Sequence, residues 1–329
     1  MSGKMAWATV PFLILLIVFC YFFFGNRKVA ENPVFGVNFS QKHAHDLGIE
    51  WRENYLALLD DLKVDHFKII THWDLLERER DKFSFDDLDW QIEQAEERDA
   101  KVILVVGIKT GRWPECHLPD WAKGLSKEEQ QQEVLDLTRE LVLRYKDSDA
   151  VWAWQVENEP FFPFGECQWS DEEFVKKEIG MVRSLSPDKP IVFGDSGEGS
   201  FWFHSAQLGD IVGITMYKWV WFSQFERYVY YPLPPVFYGR KAQLISFFFQ
   251  KPVIVIELQA EPWGPKLLYD VPLEEQKKTM NLEQFKYNVN FARQTGLKEF
   301  YLWGSEWWYW LKEIHNQPEI WEEARDLWL

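Results

Sequence analysis

Positive charge is what this sequence is shortest of: 36 Lys and Arg stand against 52 Asp and Glu, a formal charge of −16 at pH 7. Residues 1–28 contain Lys4, Arg27 and Lys28 and no acid, so the remainder is more acidic still. Such a body repels phosphate backbones, which argues against nucleic acid as a partner. It suits a neutral or cationic ligand, and the same charge also serves solubility. No glycine-rich phosphate loop follows the first apolar run, Val34–Phe39, which counts against a doubly wound dinucleotide-binding sheet. His43, His45 and His117 lack a metal-ligand spacing, so neither a metal nor any other cofactor is expected. Internal repeats are absent, and so is any low-complexity linker beyond Val29–Pro33. Cysteine is scarce as well, with three in 329 residues.

Apolar and aromatic side chains are plentiful. Hydrophobic residues make up 47% of the chain, ample for a core, and 19 are Trp. Ala6 to Phe24 is one apolar stretch without a charge, close to the ~20 residues that a bilayer core requires. Its exit, Phe22-Phe23-Phe24-Gly25-Asn26-Arg27-Lys28, offers no small-residue cleavage site. Cys20 follows Ile17-Val18-Phe19, too bulky for a lipoprotein cleavage box. Residues 1–28 therefore read as an uncleaved, single-pass membrane anchor carrying residues 29–329 outside the cytoplasm. Lys4 on one side and Arg27-Lys28 on the other leave its orientation undecided by charge.

Beyond the anchor, short apolar runs alternate with helical patterns. Eight strands are expected at Val34–Phe39, His66–Ile70, Val102–Val106, Val151–Val156, Ile191–Gly194, Ile211–Thr215, Val253–Ile256 and Glu299–Trp303. Between them Leu88, Ile92 and Ala95 repeat at helical spacing, as do Val134, Leu137, Leu141 and Tyr145. Val175, Ile179 and Val182 form another such face, and Leu282, Phe285, Val289 and Ala292 a fourth. Ser170-Asp171-Glu172-Glu173 has the form of a capping box. Eight strand–helix units over about 300 residues predict an α/β fold, the (β/α)8 barrel. The helix around Phe201–Leu208 is short and weakly patterned. Residues 218–250 read as an insertion on the catalytic face, followed by a helix over Gly239–Phe249. Cys116 and Cys167 lie beyond two successive strands, where they form either a disulfide or two separate thiols, the latter preferred.

Two glutamates stand at strand ends. Asn158-Glu159-Pro160 closes the run Val151–Val156, and Glu257 closes Pro252–Ile256. In a barrel both would face the mouth formed by the C-terminal strand ends. Glycoside cleavage with retention needs two carboxyl groups about 5–5.5 Å apart, one donating a proton to the leaving oxygen and one attacking the sugar. Glu159 is assigned the acid/base role and Glu257 the nucleophile role. Glu261 competes for the latter but does not abut the apolar run. Asn158 is suited to the sugar 2-hydroxyl.

With these residues the chain resembles the clan A glycoside hydrolases, and within them the family 5, cellulase-like enzymes, from about Phe35 to Trp310. The resemblance implies that Asn158-Glu159-Pro160 carries the acid/base and Glu257 the nucleophile. It implies that Tyr217 hydrogen-bonds the nucleophile and that Trp303 floors the sugar subsite. Where the clan usually has an Arg in strand two, this chain has Lys68, which keeps the charge without the two-pronged geometry. His72 or Arg112 is a candidate to compensate. Trp113 and Trp263, in loops after strands, are further candidates for stacking on sugars, as are Trp219, Trp221, Trp307 and Trp308. His43, His45 and His117 are candidates for sugar hydroxyls. Trp152 and Trp154 read as core. The function expected is retaining hydrolysis of a β-linked oligo- or polysaccharide. The alternatives are transglycosylation of an envelope glycan and a binding barrel without catalysis.

Overall fold

The computed structural model describes residues 3–329, with side chains from residue 13 onward. Its strands in chain order are β1 (Val34–Phe39), β2 (His66–Ile69), β3 (Lys101–Val106), β4 (Val151–Val156), β5 (Ile191–Asp195) and β6 (Ile211–Met216). They continue with β7 (Trp219–Phe222), β8 (Arg227–Tyr230), β9 (Val253–Gln259) and β10 (Glu299–Trp303). Among the described residues, eight of these close a parallel barrel in the order β1-β10-β9-β6-β5-β4-β3-β2. The (β/α)8 fold expected from the alternating pattern is the one observed. Strand starts agree with the apolar runs to within a residue. β9 extends three residues beyond its run, as far as Gln259.

The runs are continuous because parallel strands are covered on both faces. Val102, Leu104 and Val106 of β3 pack outward with Trp154 and Val156 of β4 against the helices. Their alternates Ile103 and Ala153 join Val192, Ile254, Ile256 and Tyr301 in a second cluster that fills the barrel. Trp154 lies in the outer layer as the core residue expected, and Trp152, partly buried, packs onto the barrel filling. Tyr301 fits because Gly36 lies across from it. A Cβ on Gly36 would stand 2.8 Å from the Tyr301 ring and 2.5 Å from the His66 carbonyl oxygen.

The registers of β9 carry the feature that matters most for the site. Ile214 pairs with Val255 but Thr215 pairs with Glu257, so β9 holds one extra residue at this point. The same slip appears against β10, between Phe300 and Leu302. A bulge of this kind re-aims the side chains that follow it. Ile254 and Ile256 face the interior, strict alternation would turn Glu257 outward, and the extra residue turns it back into the mouth.

Local differences have simple causes. The helix Glu172–Leu185 is capped by Asp171, whose carboxylate accepts from the N–H groups of Glu173 and Phe174, while Ser170 donates to the Pro160 carbonyl. The Ser170–Glu173 capping box is therefore not formed. A true one opens Lys127–Tyr145, built from Ser126 and Glu129. The insertion after β6 is the antiparallel hairpin β7–β8. The helix behind it starts at Pro235, earlier than the expected Gly239, because proline suits a first helical turn.

The N-terminal helix runs Gly3–Phe23. The expected membrane span, Ala6 to Phe24, lies partly outside the residues whose side chains are described. Among the described residues, no helix is long and apolar enough to cross a membrane. What is described is its C-terminal end, where Phe22 and Phe23 meet Phe237 at 6.0 and 5.6 Å between ring centroids.

Candidate active site

The segment after β4 turns sharply. Glu157 and Glu159 both adopt left-handed backbone, with φ of 60° and 45°. Conformations of this kind in non-glycine residues concentrate at functional sites. Glu157 turns back to accept from the N–H groups of Ile108 and Lys109, which fastens the β4 end to the β3 loop. The turn leaves Asn158 and Glu159 facing the mouth. The Asn158 Oδ1 accepts from Lys68 Nζ at 3.1 Å and from Gln155 Nε2 at 2.9 Å. The Thr215 hydroxyl donates to Glu159 at 3.3 Å.

Glu257, turned inward by the bulge, receives two donors. Lys68 Nζ lies 2.9 Å from one carboxylate oxygen and the Tyr217 hydroxyl 2.8 Å from the other. Lys68 is fully buried, so this pair sits out of water, where charge–charge attraction is strong. Lys68 thus spans Glu257 and Asn158. It makes contact with the nucleophile candidate itself, and neither His72 nor Arg112 takes that place.

Protonation differs across the mouth. Burial, then the charges of Glu257 and Glu115, hold the Glu159 carboxyl protonated well above the ordinary glutamate range. Burial and the neighbouring Glu257 likewise push the Tyr217 phenol well up, so it stays a donor. Glu115 is raised to about 7, first by burial. Glu198, which accepts from Tyr217 N–H and the Tyr238 hydroxyl, is raised to about 6 by burial. Burial would also raise Glu261, but the Arg112 guanidinium and His43 overcome it and bring it to about 2.

That pairing separates the two competing glutamates. Arg112 donates to Glu261 and, at 3.0 Å, to Glu306, whose other oxygen accepts from Ser40 N–H at 2.6 Å. The same guanidinium lies 4.1 Å from the Trp303 ring centroid, with Lys68 Nζ at 5.6 Å. Trp303 is thus held between strand ends by cations on its ring. Glu261 belongs to this support.

The other aromatic candidates divide into three groups. Trp113, 45% exposed, meets Phe164 at 5.9 Å, Phe164 meets Trp263 at 5.4 Å, and Trp263 meets Tyr217 at 5.1 Å. This chain of rings leads from solvent to the buried carboxylates. Trp307 and Trp308 are buried, donating to Gln276 and to the Ala260 carbonyl, and are not sugar platforms. Trp219 and Trp221 pair with Tyr230 and Tyr228 across the hairpin. Among the histidines, His117 contacts the Gly111 carbonyl at 3.0 Å and His72 the Ser40 hydroxyl at 3.1 Å. His43 lies 3.5 Å from Glu261, and His45 is exposed. The three carboxylates Glu77, Asp81 and Glu133 come together elsewhere, but Glu133 is paired with Arg80 and Glu77 accepts from Trp73 and Asp81 N–H.

Sequence reasoning missed Glu115, Glu198, Glu306 and Phe164. Glu306 sits in the first turn of the helix Ser305–His315, where it pairs with Arg112, and the other three lie in loops that only the fold brings together. It also preferred two separate thiols where the structure has a Cys116–Cys167 disulfide, with Cα atoms 5.2 Å apart. That bridge joins the loop after β3 to the loop after β4. A Cβ on Gly165 would lie 2.6 Å from the Glu115 Cβ, so only glycine lets the loops close this tightly.

The model of glycosyl hydrolase family 10 matches residues 53–185. No curated protein matches the chain in sequence. In fold the chain is similar to a β-galactosidase from the haloarchaeon Halorubrum lacusprofundi, at 15% identity and a TM-score of 0.55, covering 82% of this chain and 52% of that one. The chain therefore spans about half the length of that enzyme. It is similar to GH5_18 from Streptomyces cattleya, at 16% identity and a TM-score of 0.58, over 83% of this chain and 70% of that one. Xylanase 10B from Thermotoga maritima aligns at 16% identity and a TM-score of 0.56, over 90% of this chain and 95% of that one. Fold, carboxylate-lined mouth and family match make the chain a (β/α)8 barrel similar to the glycoside hydrolases of clan A. Within that class, the matching sequence model is that of family 10, whereas the motif resemblance ran to family 5; both families occur among the structural neighbours.

Proposed function

We propose that the protein hydrolyses O-glycosidic bonds of a β-linked oligo- or polysaccharide with retention. One observation carries the reading: a glutamate kept protonated, Glu159, beside a glutamate held by two donors, Glu257. A buried carboxyl that keeps its proton suits the acid, and a carboxylate held by an ammonium and a phenol suits the nucleophile. Glu159 gives its proton to the departing glycosidic oxygen while a Glu257 oxygen bonds to the anomeric carbon. The leaving sugar departs and a glycosyl-enzyme remains. Glu159, now ionised, takes a proton from water, whose oxygen displaces Glu257 at the same carbon and restores both groups.

Asn158 addresses the sugar 2-position, and Lys68 and Tyr217 hold Glu257 in line. Trp303 floors the sugar, with Trp263 and Trp113 as outer platforms. We further propose that residues 1–28 tie the enzyme to a membrane with the barrel outside the cytoplasm. The Cys116–Cys167 bridge supports this, because disulfides persist in oxidising compartments.

The test is reducing-sugar release by the full chain from β-glucans, β-mannans, xylans and β-galactans, with Glu257→Gln alongside. Release by the parent and not by the variant supports the reading. Equal release by both would remove Glu257 from the mechanism. For the anchor, recovery of the full chain in a salt-washed membrane fraction is expected, and a soluble, trimmed protein would refute it.

A further inference from the structure

Glu198 has no part in the mechanism above, yet a short path of hydrogen bonds joins it to the nucleophile. It lies in the loop after β5. One of its carboxylate oxygens accepts from the Tyr217 N–H at 2.9 Å and from the Tyr238 hydroxyl at 2.8 Å. Tyr217 is the first residue beyond β6, and its own hydroxyl donates to Glu257 at 2.8 Å. The residue before Glu198 serves the other carboxyl group. Gly197 N–H donates to the Thr215 hydroxyl at 3.2 Å, and that hydroxyl donates to Glu159 at 3.3 Å. Thr215 and Tyr217 stand two residues apart, so an extended chain turns both to the same side.

The loop itself is held firmly. A Cβ on Gly197 would stand 1.8 Å from the Thr215 carbonyl oxygen, so only glycine lets the loop lie this close to β6. The buried Lys241 donates to the carbonyls of Gly197 and Ser200 at 2.8 and 2.5 Å, and its Nζ lies 3.8 Å from the Trp202 ring centroid. Trp202 Nε1 in turn donates to the Ser196 carbonyl at 2.9 Å. Lys241 and Tyr238 both belong to the helix Pro235–Phe249. Glu198 therefore ties the end of β6 to a loop that this helix supports. Beyond the last residue of β6 the Tyr217 N–H needs an acceptor, and Glu198 supplies it.

We propose that Glu198 is a positioning residue: its accepting oxygen fixes the backbone of Tyr217 so that the Tyr217 hydroxyl meets Glu257 and holds it in line for attack. A hydroxyl–carboxylate bond weakens steeply with misalignment, so drift of the Tyr217 backbone releases the nucleophile. The inference rests on the proposed function for the role of Glu257.

The experiment reads the Tyr217 hydroxyl directly, by NMR of the full chain with labelled tyrosine. Its proton is assigned by its loss in Tyr217→Phe. Glu198→Ala and the bulkier Glu198→Met both remove the acceptor, and each should speed exchange of that proton with water about tenfold, the equivalent of one lost hydrogen bond. Glu198→Gln keeps an accepting oxygen and should exchange as the parent does. Unchanged exchange in a folded alanine or methionine variant overturns the inference, and so does a glutamine variant that behaves like them. On any glycan the parent cleaves, Glu198→Ala should lower kcat about tenfold with KM little changed. In a Tyr217→Phe background it should lower kcat no further, because the two act as one unit. Equal losses in both backgrounds would place the action of Glu198 elsewhere and overturn the inference. Faster hydroxyl exchange without release of sugar from any glycan would sink the proposed hydrolysis and leave the brace on Tyr217 standing. Glycan hydrolysis with unchanged exchange would do the reverse.

Discussion

Lys68 shows how a single side chain settles a question that its residue type leaves open. An ammonium lacks the fork of a guanidinium, yet its three donors let it bridge Glu257 and Asn158 at 2.9 and 3.1 Å from a fully buried position. Lys68→Met should leave Glu257 uncompensated and cost about 3–5 kcal/mol in denaturant unfolding, as for a broken buried pair. A cost below 1 kcal/mol would mean that water replaces the lysine. The Glu159 proton is the other residue-scale property. The Glu257 charge is the largest electrostatic contribution raising it, second to burial, so Glu257→Gln should move the Glu159 titration downward. Carboxyl NMR of that variant checks it, and an unmoved titration would uncouple the pair. Glu159 and Glu257 were legible in the sequence because each abuts an apolar run. Glu198 was not, since nothing local distinguishes a glutamate that holds Tyr217 from one on the surface.

The bulge in β9 and the clamp on the β3 and β4 loops are the two devices built at the scale of the element. Parity along a strand is invisible when all its residues are buried, so no sequence pattern announces that Ile256 is followed by a second inward residue. The clamp has three parts: the Cys116–Cys167 bridge, Gly165 packed on Glu115, and the Glu166 N–H donating to the Pro114 carbonyl at 2.9 Å. Cys167→Ser should lower unfolding free energy by about 2–4 kcal/mol, read from urea melts of oxidised protein. An equal melt for parent and variant would show that the bridge does not form. Gly165→Ala meets both an adverse φ of 96° and the Glu115 side chain. It should destabilise the fold and weaken binding of sugar together. The expected barrel strands were legible because parallel strands must be apolar throughout. The hairpin β7–β8 was not, because its Trp and Tyr residues pair with each other rather than follow a buried face.

For the molecule as a whole, the consequence of gathering so many acids in one barrel is a particular dependence on pH. Glu178 and Glu157 are buried together beneath the β4 turn. Burial, then the Glu157 charge, raises Glu178 well above the ordinary value of 4.5, and burial brings Glu157 to about 7. A carboxyl raised on folding keeps its proton in the native state after the unfolded chain has lost it. Its stabilisation is complete below about 4.5 and is lost as pH rises through the native value. His72 and His117, lowered by burial, contribute with the opposite sign as pH falls below 6.5. Glu178→Gln removes one raised carboxyl of this pair and leaves both histidines, so the comparison at each pH reports on the pair. Its melting temperature relative to the parent should climb from pH 5 to pH 8, and a flat difference would mean that Glu178 titrates normally. The sequence by itself determined the barrel, its strand positions and the two strand-end glutamates, because burial of parallel strands and the chemistry of paired carboxyls leave local marks. Only the tertiary structure decided which way Glu257 points, which cation holds which acid and that the two thiols join. Those depend on register, on loops meeting across the mouth and on burial, none of which is a property of neighbouring residues in the chain.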